Sequence, residues 1–287
     1  MGSRLRAFRS AAAVIALGGS LVTVGAGSAS AEPDGGLSYV ALGDSSAAGP
    51  LILPQVDVPC LRSSRNWPAV AAAQLGAVLT DVTCSGATTA DLAGRQFGFV
   101  PPQFDALTPD TDLVTLAIGA NDIDLGTVVP SCVRLYPQTP GLSCRAQYTA
   151  GGQDRLAARI EQAAPDVAAV LARIHLRSPA AKVYVVSYGT YFKPGGCWPN
   201  DPIWPVDADY LQGTFDRLHA MLARQAAANG AGFIDLRTPS ADHGVCASGG
   251  HKWLEGLLPT SAAAPYHPNA TGMAKSGALV ATAVGSR

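Results

Sequence analysis

SYVALGDSS, residues Ser38–Ser46, decides the fold. Its first five residues, Ser38–Leu42, are mostly aromatic or aliphatic, and the run stops at Gly43-Asp44 before two serines and two alanines. A short apolar run that ends at a turn pair and leads into small helix formers reads as a buried strand, a tight turn and the start of a helix. The same grammar recurs downstream. Short β-branched or apolar runs predict strands at Val78–Thr83, Leu113–Ile118, Lys182–Val186 and Gly232–Asp235. Between them, segments rich in Ala, Leu, Arg and Gln predict helices at Trp67–Leu75, Asp154–Leu176, Asp207–Asn229 and Ala270–Val284. Pro165 marks a point where the second of these can break or kink, and Gly230 is a stop signal after the third. Alternating strand and helix implies α/β architecture: a three-layer α/β/α, doubly wound domain on a parallel sheet of about five strands.

The N-terminus has a different character. Arg4, Arg6 and Arg9 precede an apolar stretch, Ala11–Val24, and then Ala29-Ser30-Ala31. This is the layout of a signal peptide cleaved after residue 31, which leaves residues 32–287 as a single domain of a secreted protein. The apolar stretch is short of the roughly 20 residues a helix needs to cross a bilayer, and no later segment is long enough, so no integral membrane segment is expected. With 48% hydrophobic and 14% charged residues the chain can bury a large core. Cleavage would leave a net charge of about −4, and no basic stripe suggests nucleic acid as a partner. The protein is expected to be a monomer.

Six cysteines, Cys60, Cys84, Cys132, Cys144, Cys197 and Cys246, all follow the expected cleavage point. In an oxidising compartment disulfides are the default, and six cysteines allow 15 pairings. A metal site at Asp242, His243, Cys246 and His251 would lack a second cysteine at zinc-finger spacing. No metal or cofactor is expected.

In an open parallel sheet, ligands bind at the carboxyl ends of the strands. Four segments there carry chemistry. Gly43-Asp44-Ser45-Ser46 follows the first strand and presents the Ser45 hydroxyl and N–H. Cys84-Ser85-Gly86-Ala87-Thr88-Thr89 follows the second, where Gly86 lets the backbone approach a ligand. Ile118-Gly119-Ala120-Asn121-Asp122 follows the third and offers the Asn121 amide. Tyr266-His267-Pro268-Asn269 precedes the last helix and supplies an imidazole. Taken singly, each is an ordinary turn, strand-end glycine or helix cap. Together they provide one nucleophile, one base and several donors. Ester hydrolysis needs that set, because serine attacks only when an imidazole takes its proton and the tetrahedral intermediate carries a new oxyanion.

These blocks, G-D-S, C-S-G-A-T, I-G-A-N-D and H-P-N in that order, resemble the Ser, Gly, Asn and His blocks of SGNH (GDSL) hydrolases, from about Tyr39 to Ala281. The likeness is greatest to the secreted actinobacterial lipases and esterases of that family. It implies a flavodoxin-like sheet, with Ser45 as nucleophile, His267 as base and Ser45, Gly86 and Asn121 as oxyanion-hole donors. It also implies the sequential disulfides Cys60–Cys84, Cys132–Cys144 and Cys197–Cys246. One position departs from the family. Many members carry Asp three residues before the His, and here that residue is Ala264. A backbone carbonyl, from Ala264 or Pro265, is then the expected acceptor for His267 Nδ1–H, making a Ser-His dyad. Asp44 and Asp122 read as turn-stabilising residues.

Four long loops, Gly49–Asn66, Gly94–Asp110, Gly126–Gly152 and Tyr188–Val206, are expected to shape the site. Their apolar residues, Leu51, Ile52, Leu53, Phe97, Phe99, Phe104, Tyr188, Tyr191, Phe192, Trp198 and Trp204, would wall the cleft and suit acyl chains. The resulting expectation is a lipase or esterase acting on a small-molecule or lipid ester. A carbohydrate O-acetyl esterase with Trp198 or Trp204 stacked on sugar is the alternative, and a non-catalytic binding protein on the same fold is another. There is no G-x-S-x-G, H-E-x-x-H or P-loop motif.

Overall fold

The computed structural model describes residues 1–2 and 36–286. The expected signal peptide therefore lies outside the described residues, but for its first two. In chain order the elements are β1 (Ser38–Gly43), α1 (Ser45–Ala48), β2 (Gln55–Asp57), β3 (Arg62–Ser63), α2 (Trp67–Leu75), β4 (Val78–Asp81) and β5 (Leu113–Ala117). There follow α3 (Leu125–Ser131), α4 (Cys144–Tyr148), α5 (Arg155–Arg177), β6 (Lys182–Val186), α6 (Pro205–Ala228), β7 (Gly232–Ile234) and α7 (Ala270–Gly285).

Five strands form one sheet in the order β4-β1-β5-β6-β7, every neighbouring pair parallel. The order is flavodoxin-like: the chain moves outward from β1 to β4, then returns to β5 on the other side of β1. The crevice at that switch point lies beyond the carboxyl ends of β1 and β5. Two-residue alternation sorts the side chains between the faces. Val40, Leu42, Val114, Leu116, Val183 and Val185 join the apolar stripes of α5 and α6 in one cluster. Tyr39, Ala41, Leu113, Ala117, Tyr184 and Val186 join α2 and α7 in the other. Sheet strands that are covered on both faces need near-continuous apolar sequence, which is how β1 and β5 read.

α5 runs unbroken through Pro165, which faces solvent while Leu156, Ile160, Ala163, Val167, Val170, Leu171 and Ile174 are buried. An exposed proline leaves its lost hydrogen bond to water, and the buried stripe outweighs the break expected there. Gly230, with φ of 70°, ends α6 as its position after Asn229 predicts. Within the 49–66 loop sits the unforeseen antiparallel pair β2–β3, and the 126–152 loop holds most of α3 and all of α4.

The disulfides are Cys60–Cys84, Cys132–Cys144 and Cys197–Cys246. Cys60–Cys84 ties the 49–66 loop to the segment that leads to Gly86, and Ser85 N–H donates to Cys60 O beside it. Replacing both cysteines by Ser should cost about 2–4 kcal/mol of stability, a fall in Tm of roughly 5–15 °C in calorimetry. A shift under 2 °C would mean the loop holds its place without the bridge.

Candidate active site

β1 ends where its backbone presses on β5. A Cβ on Gly43 would lie 2.5 Å from Ala117 O, so only glycine fits. Gln103, itself buried, clamps the same residue: Gly43 N–H donates to its Oε1 at 2.8 Å and its Nε2 donates to Gly43 O at 3.0 Å. Asp44 then caps α1, accepting from Ser46 N–H and Ser46 Oγ on one carboxylate oxygen. Ser45 is the first residue of that helix, where a backbone N–H has no intrahelical acceptor.

The turn after β4 puts Gly86 at φ of 83°, a conformation that favours glycine. The turn after β5 brings Asn121 alongside, with its Nδ2 donating to Ala87 O at 2.9 Å. One amide hydrogen is thereby committed and the second is left to face the cleft. Asp122 does more than stabilise its own turn: it accepts from Thr89 N–H and Thr89 Oγ1, tying the Asn121 turn to the Gly86 segment.

His267 comes from 222 residues downstream, and its Nε2 lies 2.7 Å from Ser45 Oγ. The α7 cap is Asn269, which accepts from Gly272 N–H, so the imidazole is not spent on capping. Asn269 also donates to the fully buried Glu255, whose N–H bonds His267 O. The loop turns through Ala264-Pro265-Tyr266-His267, closed by His267 N–H to Ala264 O. Proline second and a positive φ (56°) third are features of a type II turn. Tyr266 takes that position because its ring is buried against Phe192. At the end of this turn His267 Nδ1 meets Pro265 O at 2.8 Å.

Burial lowers the His267 pKa from its ordinary value near 6.5, and the Pro265 carbonyl raises it in part. A neutral carbonyl fixes the ring's tautomer while compensating the imidazolium less than a carboxylate does. The neutral, proton-accepting form therefore persists as pH falls below 7, and proton uptake comes only below 6.5. An NMR titration of the His267 ring, identified by its loss in His267→Gln, should show that midpoint; one above 7 would require a carboxylate at the ring.

Ser45, Gly86, Asn121 and His267 line one cleft of about 280 Å³. Its apolar wall is Pro50, Leu61, Leu125, Val129, Pro130, Tyr191 and Phe215. This corrects the expected wall. Tyr188 and Tyr191 do line the cleft, whereas Ile52, Phe104, Phe192 and Trp204 are buried in the domain, and Leu51, Leu53, Phe97 and Phe99 are exposed and outside the lining. Trp198 is half-buried, its indole N–H donating to Arg134 O, and it does not line the cleft either. Cys246 of the metal alternative is in a disulfide. His243 stacks on Trp253 with Nδ1 2.6 Å from His251 O. Sequence reasoning also missed Gln103 and the bonding role of Tyr188; the latter's place directly after a sheet strand was the available signal.

A parallel α/β sheet whose switch point holds a serine, an imidazole and a set of amides against an apolar cleft defines the class as ester-hydrolysing α/β enzymes. The chain belongs to the GDSL-like Lipase/Acylhydrolase family, whose model matches residues 41–275. Lipase 2 of Streptomyces coelicolor is 35% identical over 271 residues, 91% of this chain and 90% of the relative. Among solved structures, phospholipase A1 from Streptomyces albidoflavus NA297 superposes with a TM-score of 0.71 at 27% identity, covering 87% of this chain and 99% of that one. The extracellular lipase from Streptomyces rimosus superposes at 0.67 with 28% identity, covering 86% and 98%. The protein is a GDSL ester hydrolase.

Proposed function

We propose that this protein is a secreted lipase or esterase that cleaves acyl esters through an acyl-enzyme on Ser45. The observation that carries the reading is the 2.7 Å approach of His267 Nε2 to Ser45 Oγ. His267 takes the hydroxyl proton as Ser45 Oγ attacks the ester carbonyl carbon. The carbonyl oxygen becomes an oxyanion, held by Ser45 N–H, Gly86 N–H and the free Asn121 Nδ2 hydrogen. The imidazolium then gives its proton to the departing alkoxide, and the alcohol leaves. Water attacks the acyl-enzyme by the same route, restoring Ser45 and releasing the acid. Pro265 O, in place of a triad carboxylate, holds Nδ1–H throughout.

The apolar wall favours acyl chains over sugars, since neither Trp198 nor Trp204 is placed in the cleft lining. The relatives' names, lipase and phospholipase A1, support the same substrate class. Three disulfides favour secretion. The described residues contain no helix long and apolar enough to cross a membrane, which is consistent with it.

The test is a p-nitrophenyl ester series, acetate through palmitate, with fluorophosphonate labelling mapped by peptide. Labelling on Ser45 and turnover that rises to medium or long chains is the expected result. Turnover confined to acetate would favour the carbohydrate O-acetyl esterase, and neither turnover nor label would favour a binding protein.

A further inference from the structure

Tyr188 stands two residues past β6, and its hydroxyl bridges the two turns that carry the serine and the asparagine. It donates to Asp44 Oδ2 at 2.5 Å and accepts from Ala120 N–H at 3.0 Å. Asp44 immediately precedes Ser45 and Ala120 immediately precedes Asn121. Only a group that donates and accepts at one atom can join a carboxylate to a backbone N–H, and a phenol does so on a rigid arm with two torsions. The arm is itself held. The Tyr188 ring is buried and lies 6.4 Å from Phe215, which stacks on Tyr191 at 4.2 Å. Asp44 is fully buried; burial pushes its carboxyl up, the Tyr188 and Ser46 bonds draw it partly back, and the balance lies at about 6. Without the hydroxyl, a buried carboxylate oxygen and a backbone N–H each lose a partner, and both turns must shift to find another.

We infer that Tyr188 is a positioning residue that sets the distance between the Ser45 N–H and the Asn121 amide, and so the geometry of the oxyanion hole. The inference rests on the catalytic reading of Ser45 and Asn121 above. A donor misplaced by a fraction of an ångström still admits substrate but holds the developing oxyanion less well. The signature is therefore a loss in kcat at constant KM, and a loss that depends on Asn121 being present.

The test is steady-state hydrolysis of a p-nitrophenyl ester by the oxidised protein as Tyr188→Phe, Asn121→Ala and the pair. Tyr188→Phe should lower kcat roughly 10–100-fold with KM within about twofold, and should cost less than about threefold when Asn121 is already Ala. A kcat within threefold of wild type would overturn the inference. So would a KM that rises as kcat falls, or the full cost surviving in the Asn121→Ala background. Should Tyr188→Phe fold poorly, Asp44→Asn serves instead: Asn caps a helix as well as Asp does, but with Oδ1 kept by Ser46 it turns an N–H toward Tyr188, so the phenol hydrogen loses its acceptor. The same kcat loss and the same dependence on Asn121 are expected, and their absence overturns the inference equally. Ser45→Ala, measured alongside, separates the two readings. If it is inactive, the catalytic reading stands whatever Tyr188 does; if it turns over normally, the catalytic reading itself has failed.

Discussion

His267→Ala should lower kcat on a p-nitrophenyl ester by on the order of 10⁵–10⁶, Ser45→Ala should do the same, and the double variant should be no slower than either. On the proposed mechanism the two atoms, 2.7 Å apart, act as a unit. A serine without its base is a poor nucleophile, and a base without its serine has nothing to deprotonate. What remains after either loss is the oxyanion hole and substrate binding, which still act on water's attack. Stopped assays on purified variants, with circular dichroism to check the fold, decide the matter. Additive losses in the double variant, or more than a hundredth of the activity left in His267→Ala, would mean that Ser45 is activated by another group. Among the described residues that line the cleft the one carboxylate is Asp44, and it is engaged by Ser46 and Tyr188.

Asn121→Ala should lower kcat by about 10²–10³, equivalent to roughly 2.7–4 kcal/mol of transition-state stabilisation, with little change in KM. On the proposed mechanism the amide is valuable because it is already oriented. Its bond to Ala87 O fixes one hydrogen and so aims the other, and no reorganisation is needed as charge develops. Asn121→Asp should be at least as slow as Ala, since a carboxylate of the same shape would face both the Ala87 carbonyl and the oxyanion with negative charge. Pre-steady-state measurement of acylation locates the loss in the chemical step. An Asp variant faster than the Ala variant would show that the side chain serves the turn and not the oxyanion.

Much of this arrangement was legible in the chain because it depends on neighbours. The short apolar runs of β1 and β5, the helix formers of α5 and α6, and the glycines that end strands are all short-range signals. They placed Trp67–Leu75 and Lys182–Val186 at the bounds the structure has. Gly86 could be singled out because close backbone approach at a strand end favours a residue with no side chain, whereas the contact that excludes a Cβ at Gly43 comes from β5. The cleft wall was harder. Apolar loop residues look alike whether they face a substrate, solvent or the core, and Trp204 and Phe192 went to the core while Leu61, Val129 and Pro130 lined the cleft.

Periodicity and turn chemistry along the chain set the local elements, their alternation into a parallel α/β sheet with covering helices, the three strand-end blocks and the His267 block before the last helix. Long-range packing decided how His267 comes within 2.7 Å of Ser45 across 222 residues, which of the two expected carbonyls, Pro265 O, meets its Nδ1, and that Gln103 and Tyr188 brace the turns that carry Gly43, Ser45 and Asn121. Every residue offers a carbonyl, so which of two neighbouring ones faces the ring is set by the turn's dihedral angles and not by residue type. A hydroxyl's partners, likewise, are chosen only when distant strands dock in register.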